Sequence, residues 1–101
     1  MTKTPQECTS ITDIRAEIDR IDAAIIQYIG ERAGYVKAAA AFKTSESSVK
    51  APDRRAAMTE QRRQWATNHQ LDPDMIEQLF KLMVDYFVAQ ELNHYAESHK
   101  E

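Results

Sequence analysis

The sequence predicts an all-α protein with three helices per chain, the first of them long. Three observations support this. Only 2 glycines and 3 prolines occur in 101 residues, so helix breakers are scarce, whereas alanine, glutamate, glutamine and arginine are common. Apolar side chains recur at three- and four-residue intervals over most of the length. Polar, proline-bearing stretches interrupt that rhythm at the places where helices should turn. A length of 101 residues suits one domain, 1–101, and not two.

The opening "MTKTPQECTS" is polar and reads as an extended arm, after which Ser10 or Thr12 can cap a helix. From there Ile11, Ile14, Ile18, Ile21, Ile25 and Tyr28 alternate spacings of three and four, and Arg32, Tyr35, Ala39 and Phe42 continue the rhythm. This seam is close to a heptad repeat. Gly30 and Gly34 each weaken a helix by about 1 kcal/mol, but the seam keeps its phase across both. One helix is therefore expected from about residue 11 to about residue 43. "TSESSVKAP" reads as a loop. Pro52 suits the first turn of a second helix, with Asp53 favouring its dipole. That helix runs to about Asn68 with a thin apolar face of Ala56, Met58 and Trp65. "NHQLDPD" forms the next turn, with Asp72 as cap and Pro73 as the start of a third helix. The third helix carries Met75, Ile76, Leu79, Phe80, Leu82, Met83, Tyr86, Phe87 and Leu92, and frays near the C-terminus.

Such a first helix is a rod of about 45–50 Å, whereas a compact chain of this length has a radius of gyration near ~13 Å. An apolar seam along the whole rod needs a second surface. A homodimer in which the first helix pairs with its symmetry mate supplies one.

A net charge of −3 argues against a nucleic-acid partner, which calls for a basic excess. The arginines at 54, 55, 62 and 63 read as a solvated face of the second helix, not as a DNA-binding surface. The single cysteine, Cys8, has no internal partner and suggests a reducing compartment. No apolar run suits a signal peptide or a membrane span, so a cytoplasmic protein without a membrane partner is expected. His69, His94 and His99 lack metal-ligand spacing and read as surface residues, so no metal is expected. No Cys/His or Ser/His pairing and no glycine-rich phosphate loop is visible.

What stands out is charge in the apolar seam. Arg32 falls in the phase set by Ile11, Ile18 and Ile25. Lys43 lies eleven residues further on, within about 20° of the same direction and about 16 Å along the axis if the helix continues. A buried charge costs several kcal/mol unless paired. The bland readings are a pair with Glu31, or snorkelling to solvent. Arg15 precedes Arg32 by seventeen residues, about 25 Å, so one chain cannot bring both to one small ligand, but an antiparallel partner helix can. Its bland reading is a pair with Asp19 at i+4. On the third helix, Glu91 continues the stripe of Phe80, Val84 and Phe87, and its bland reading is a local salt bridge. Together these residues suggest an apolar pocket in a helical dimer, lined by cations and suited to a small di-anion gripped through its carboxylates.

The stretches "TPQECTSITDIRAEIDRIDAAII", "ERAGYVKAAAAFK" and "APDRRAAM" resemble the isochorismate pyruvate lyases of bacterial salicylate and siderophore synthesis. These are relatives of the all-helical chorismate mutases. The "DIRxxIDxID" opening is shared with the wider mutase family, and the "KTPxxC" arm points to the lyase branch. The resemblance spans nearly the whole chain. It implies an intertwined homodimer with three helices per chain and two equivalent sites. It further implies that Arg15 reaches in from the partner chain and that Arg32 binds a substrate carboxylate. Lys43 is implied to contact the ether oxygen and a carboxylate at the edge of a mobile loop. Arg54 matches a further cationic contact of the mutases, and Met58 is implied to line the pocket. At Glu91 the bacterial enzymes carry a glutamine that donates to the ether oxygen. Here Gln90 lies one residue earlier, and some eukaryotic mutases resemble this chain in using glutamate. An ionised glutamate cannot donate; a protonated one can.

The chemistry so implied is pericyclic and needs no cofactor: isochorismate to salicylate and pyruvate, with chorismate to prephenate as a side activity. A dedicated chorismate mutase is the alternative within the same class. A non-catalytic helical dimer or adaptor is the alternative outside it.

Overall fold

The periodic segments form helices in a computed structural model that describes residues 2–98; His99 lies outside them. Three long helices are present, as expected: α1 (Ile11–Ala39), α3 (Pro52–Asn68) and α4 (Pro73–Ser98). The single-turn α2 (Glu46–Lys50) lies in the segment expected to be a loop. No strand occurs among the described residues. The chain divides into two compact units, one ending at Tyr35 and one beginning at Val36.

In the first unit the polar arm is not extended. Pro5–Glu7 form a 3₁₀ turn, and the arm folds back on the first turns of α1. Its backbone N–H groups find acidic acceptors there: Lys3 N donates to Glu17 Oε1 at 2.8 Å, and Thr9 N to Asp13 Oδ2 at 3.0 Å. Lys3 Nζ lies 3.2 Å from Asp13. The Thr9 N–H, then Lys3, hold the Asp13 carboxyl below the usual range. Of the two expected caps, Ser10 serves: its Oγ accepts from Asp13 N at 3.1 Å. The helix then runs unbroken through Gly30 and Gly34, and none of its residues is buried.

The second unit corrects the far end of that helix. The α-helix stops at Ala39, tightens into a 3₁₀ turn over Ala40–Phe42, and leaves Lys43 in extended backbone (φ −88°, ψ 129°). The helical projection that aligned Lys43 with Arg32 therefore does not reach Lys43. The cause is local competition. The hydroxyls of Ser45 and Ser48 offer the backbone a new helix start, which outcompetes continuation of the old one. Ala51 closes α2 and opens α3 in the left-handed region (φ 41°, ψ 61°), a conformation uncommon for a residue with a Cβ.

Pro52 starts α3 and Pro73 starts α4, both as expected. Asp72 caps α4 by accepting from Asp74 N at 3.0 Å. Between the two helices Gln70 takes φ 62°, while Leu71 N bonds Ala66 O (2.8 Å) and Gln70 N bonds Thr67 O (3.1 Å). This is a Schellman closure with glutamine in the usual glycine place. The buried apolar residues are Val49, Met58 and Ala66.

The arginines of α3 do not form one solvated face. Arg54 is exposed, but Arg55 pairs with Asp85 of α4. Arg63 binds Asp74 and Glu77, each at 2.9 Å. The Arg62 guanidinium lies 4.8 Å from the Trp65 ring and 5.7 Å from that of Phe80. A thin apolar face on α3 makes this inevitable: the two helices pair as much through charge as through packing. No helix among the described residues is long and apolar enough to cross a membrane.

Asp85, at the middle of α4, pairs with Lys81 at 2.7 Å as well as with Arg55. Lys81 first, then Arg55, hold its carboxyl below the usual carboxylate range. Its folded-state pKa is thus below the unfolded value of about 4. The resulting stabilisation is complete above that value and is lost as pH falls through the folded pKa. Asp85→Asn is expected to destabilise the protein most at neutral pH, with the gap from wild type narrowing below about pH 4. Urea denaturation across that range checks this, and a gap independent of pH contradicts it.

Candidate active site

The six residues singled out by charge or resemblance divide between the units. In the first, Arg15 sits in the second turn of α1, exposed, and makes no ion pair among the described residues, so the alternative of a pair with Asp19 is not realised. Arg32 lies seventeen residues on, half-buried, with its Nη1 shielded from solvent. Because α1 is continuous between them, they stand about 25 Å apart along its axis. A single copy of α1 cannot close both on one small molecule.

In the second unit Lys43 is half-buried, and its Nζ donates to Ser48 O at 2.9 Å. The segment around it is a small built structure. Ser45 Oγ accepts from Ser48 N at 3.1 Å. Ser48 Oγ accepts from Thr44 N and Ser45 N, both at 3.0 Å, and donates to Ser45 O at 2.8 Å. This is a capping box built from two serines. Val49, on the same turn, is buried. Tyr95, near the end of α4, donates its hydroxyl to Thr44 O at 3.2 Å. The serines at 45 and 48 carry a sequence signal for this, since S-x-x-S has capping-box spacing and a valine follows. Tyr95 has none, because a contact across fifty-one positions leaves no local trace.

Arg54 is exposed on α3 and makes no ion pair among the described residues. Met58 is buried, against a groove of about 210 Å³ between α3 and α4 whose other walls include Arg55, Phe80, Lys81 and Val84. Met58 is the one candidate residue in that groove's wall. Glu91 is half-buried in the expected stripe with Phe80, Val84 and Phe87. Its Oε2 is shielded from solvent and has no hydrogen-bond partner among the described residues, and the alternative of a local salt bridge is not realised among them. A buried polar atom left unsatisfied points to strain, to an unseen group or to a ligand. Gln90 does not share this setting: it is exposed and its amide donates to Tyr86 Oη at 2.9 Å.

The first unit offers two arginines, and the second a lysine, an arginine and one shielded carboxyl. Arginines can hold carboxylates, and a lysine can stabilise charge on an oxygen.

Residues 14–92 match the family described as chorismate mutase type II. Over 96 residues, 95% of each protein, the chain is 43% identical to an isochorismate pyruvate lyase of Pseudomonas aeruginosa.

Proposed function

This chain belongs to the chorismate mutase type II family, and from that premise we propose that it is an isochorismate pyruvate lyase. It converts isochorismate to salicylate and pyruvate, with conversion of chorismate to prephenate as a side activity. The observation that carries this reading is the end-to-end likeness to the Pseudomonas aeruginosa lyase. A likeness confined to one motif would support only a shared fold.

The reaction moves a ring hydrogen to the methylene carbon of the enolpyruvyl group as the carbon–oxygen bond breaks. It needs no nucleophile, metal or organic cofactor. It does need the flexible substrate folded so that its side chain lies over the ring, and a partner for the negative charge that grows on the ether oxygen. In our reading 1–101 works as one domain in an intertwined homodimer. The exposed isoleucine seam of α1 supports the second copy, as does the separation of Arg15 from Arg32. Arg32 of one chain and Arg15 of the other hold the carboxylates and select the compact conformer. Lys43 faces the ether oxygen, and Glu91, when protonated, adds a second hydrogen bond there. Arg54 adds positive potential, and Met58 contributes apolar wall. The segment around α2 closes over the ligand and excludes water.

A dedicated chorismate mutase is the second reading, and Glu91 favours it, because some eukaryotic mutases use glutamate at the position where the bacterial lyases carry glutamine. Incubation with isochorismate and chorismate separately distinguishes the two. Salicylate as the faster product is expected; prephenate alone favours the second reading, and no turnover of either indicates a non-catalytic dimer.

Lys43→Ala is expected to lower kcat by two to three orders of magnitude, about 3–4 kcal/mol of lost transition-state stabilisation, while the fold survives. Near-normal turnover would remove Lys43 from its role. Glu91→Gln, which keeps a hydrogen-bond donor at that position, is expected to retain turnover, whereas Glu91→Ala lowers it; equal turnover of Glu91→Ala and wild type would remove Glu91 from the site.

A further inference from the structure

The lysine assigned to the ether oxygen sits on a segment that is held at both ends, and one of the holders lies far away in sequence. Thr44, the residue after Lys43, has its N–H bound to Ser48 Oγ (3.0 Å) and its C=O bound by the Tyr95 hydroxyl (3.2 Å). Both peptide groups of Thr44 are therefore fixed, one by α2 and one by the end of α4. Lys43 Nζ is bound in turn to the Ser48 carbonyl (2.9 Å). Backbone and side chain of Lys43 are thus referred to the same turn, and Tyr95 is the long-range tie that secures that turn to α4.

We propose that Tyr95 is a positioning residue for Lys43: its hydroxyl, acting through the Thr44 carbonyl, fixes where the Lys43 ammonium stands relative to the substrate. This rests on the functional reading above for the role of Lys43, and on the observed hydrogen bonds for the role of Tyr95. The need for such a tie follows from the chain itself. Lys43 lies in extended backbone, and the helix after it is only five residues long. A single turn is not stable alone. Ala51, at its other end, is in the left-handed region, so the α3 side offers a strained connection and not an anchor. A catalytic donor displaced by even about 1 Å loses much of its effect, so the position of this turn controls the rate.

Tyr95→Phe removes only the hydroxyl and keeps the ring. In the substrate-free protein, amide hydrogen exchange at residues 44–51 is expected to quicken severalfold, with the amides of α3 unchanged. Unchanged exchange at 44–51 overturns the proposal. With isochorismate, the variant is expected to lose roughly fivefold in kcat, the worth of one ordinary hydrogen bond, with a smaller change in KM. The same substitution made in Lys43→Ala is expected to change kcat by less than about twofold, since residues acting through one contact are not additive. An equal loss in both backgrounds overturns the proposal, because Tyr95 would then act on stability and not on Lys43. A wild-type protein that turns over neither isochorismate nor chorismate defeats the functional reading instead. The exchange measurement then decides alone whether Tyr95 holds the turn.

Discussion

Everything in this protein follows from a helix that cannot cover its own apolar seam. Ile11, Ile14, Ile18, Ile21 and Ile25 remain 58, 41, 50, 47 and 50% exposed in the single chain. Removing the exposed half of one isoleucine from water contributes on the order of 1 kcal/mol. Five from each of two chains give about 10 kcal/mol, within the 4–15 kcal/mol that association costs in lost freedom. The seam alone therefore brings two copies near balance, and further apolar area is needed for a stable pair. Ile26, Tyr28, Leu82 and Tyr86, all more than half exposed, provide it. On this account the dimer is part of the fold, and the isoleucine pattern specifies it.

The shared site we propose rests on the same helix. The rod that needs a partner also separates Arg15 from Arg32 by more than a small ligand can bridge. In the dimer we propose, the second copy would supply the missing cation. The second unit supplies the lysine to which we assign the ether oxygen, on a turn that is capped by serines, pinned by a buried valine and tied to α4 by a tyrosine. The ion pairs between α3 and α4, through Arg55, Arg63 and their acidic partners, stabilise the platform on which that turn rests.

Much of this was legible in the sequence, for identifiable reasons. The long helices were visible because three- and four-residue spacing is a strong signal and because Pro52, Asp72 and Pro73 stand at helix starts. The two glycines did not mislead, since phase was kept across them. What was missed depended on local competition or on distance. Periodicity carried the first helix through Lys43, but the serine pair at 45 and 48 ended it sooner and turned a supposed loop into a helix. Composition put the arginines of α3 in solvent, whereas acidic side chains on α4 recruited two of them and aromatic rings a third. The polar arm, expected to be extended, found acceptors in Asp13 and Glu17. In the candidate site, the register of Glu91 with Phe80, Val84 and Phe87 could be read but that of Lys43 with Arg32 could not, and the unsatisfied Glu91 oxygen and the tie from Tyr95 required coordinates.

The central claim is that each site is built from two chains, and subunit complementation tests it most directly. Arg15→Ala and Lys43→Ala variants, each inactive alone, would be mixed in equal amounts, unfolded and refolded together. Random pairing makes half of the dimers hybrids, each with one site that has both residues, so activity is predicted to recover to about a quarter of wild type. Recovery no greater than the sum of the two variants alone would place Arg15 and Lys43 in the same chain's site, or Arg15 in none, and would contradict the account.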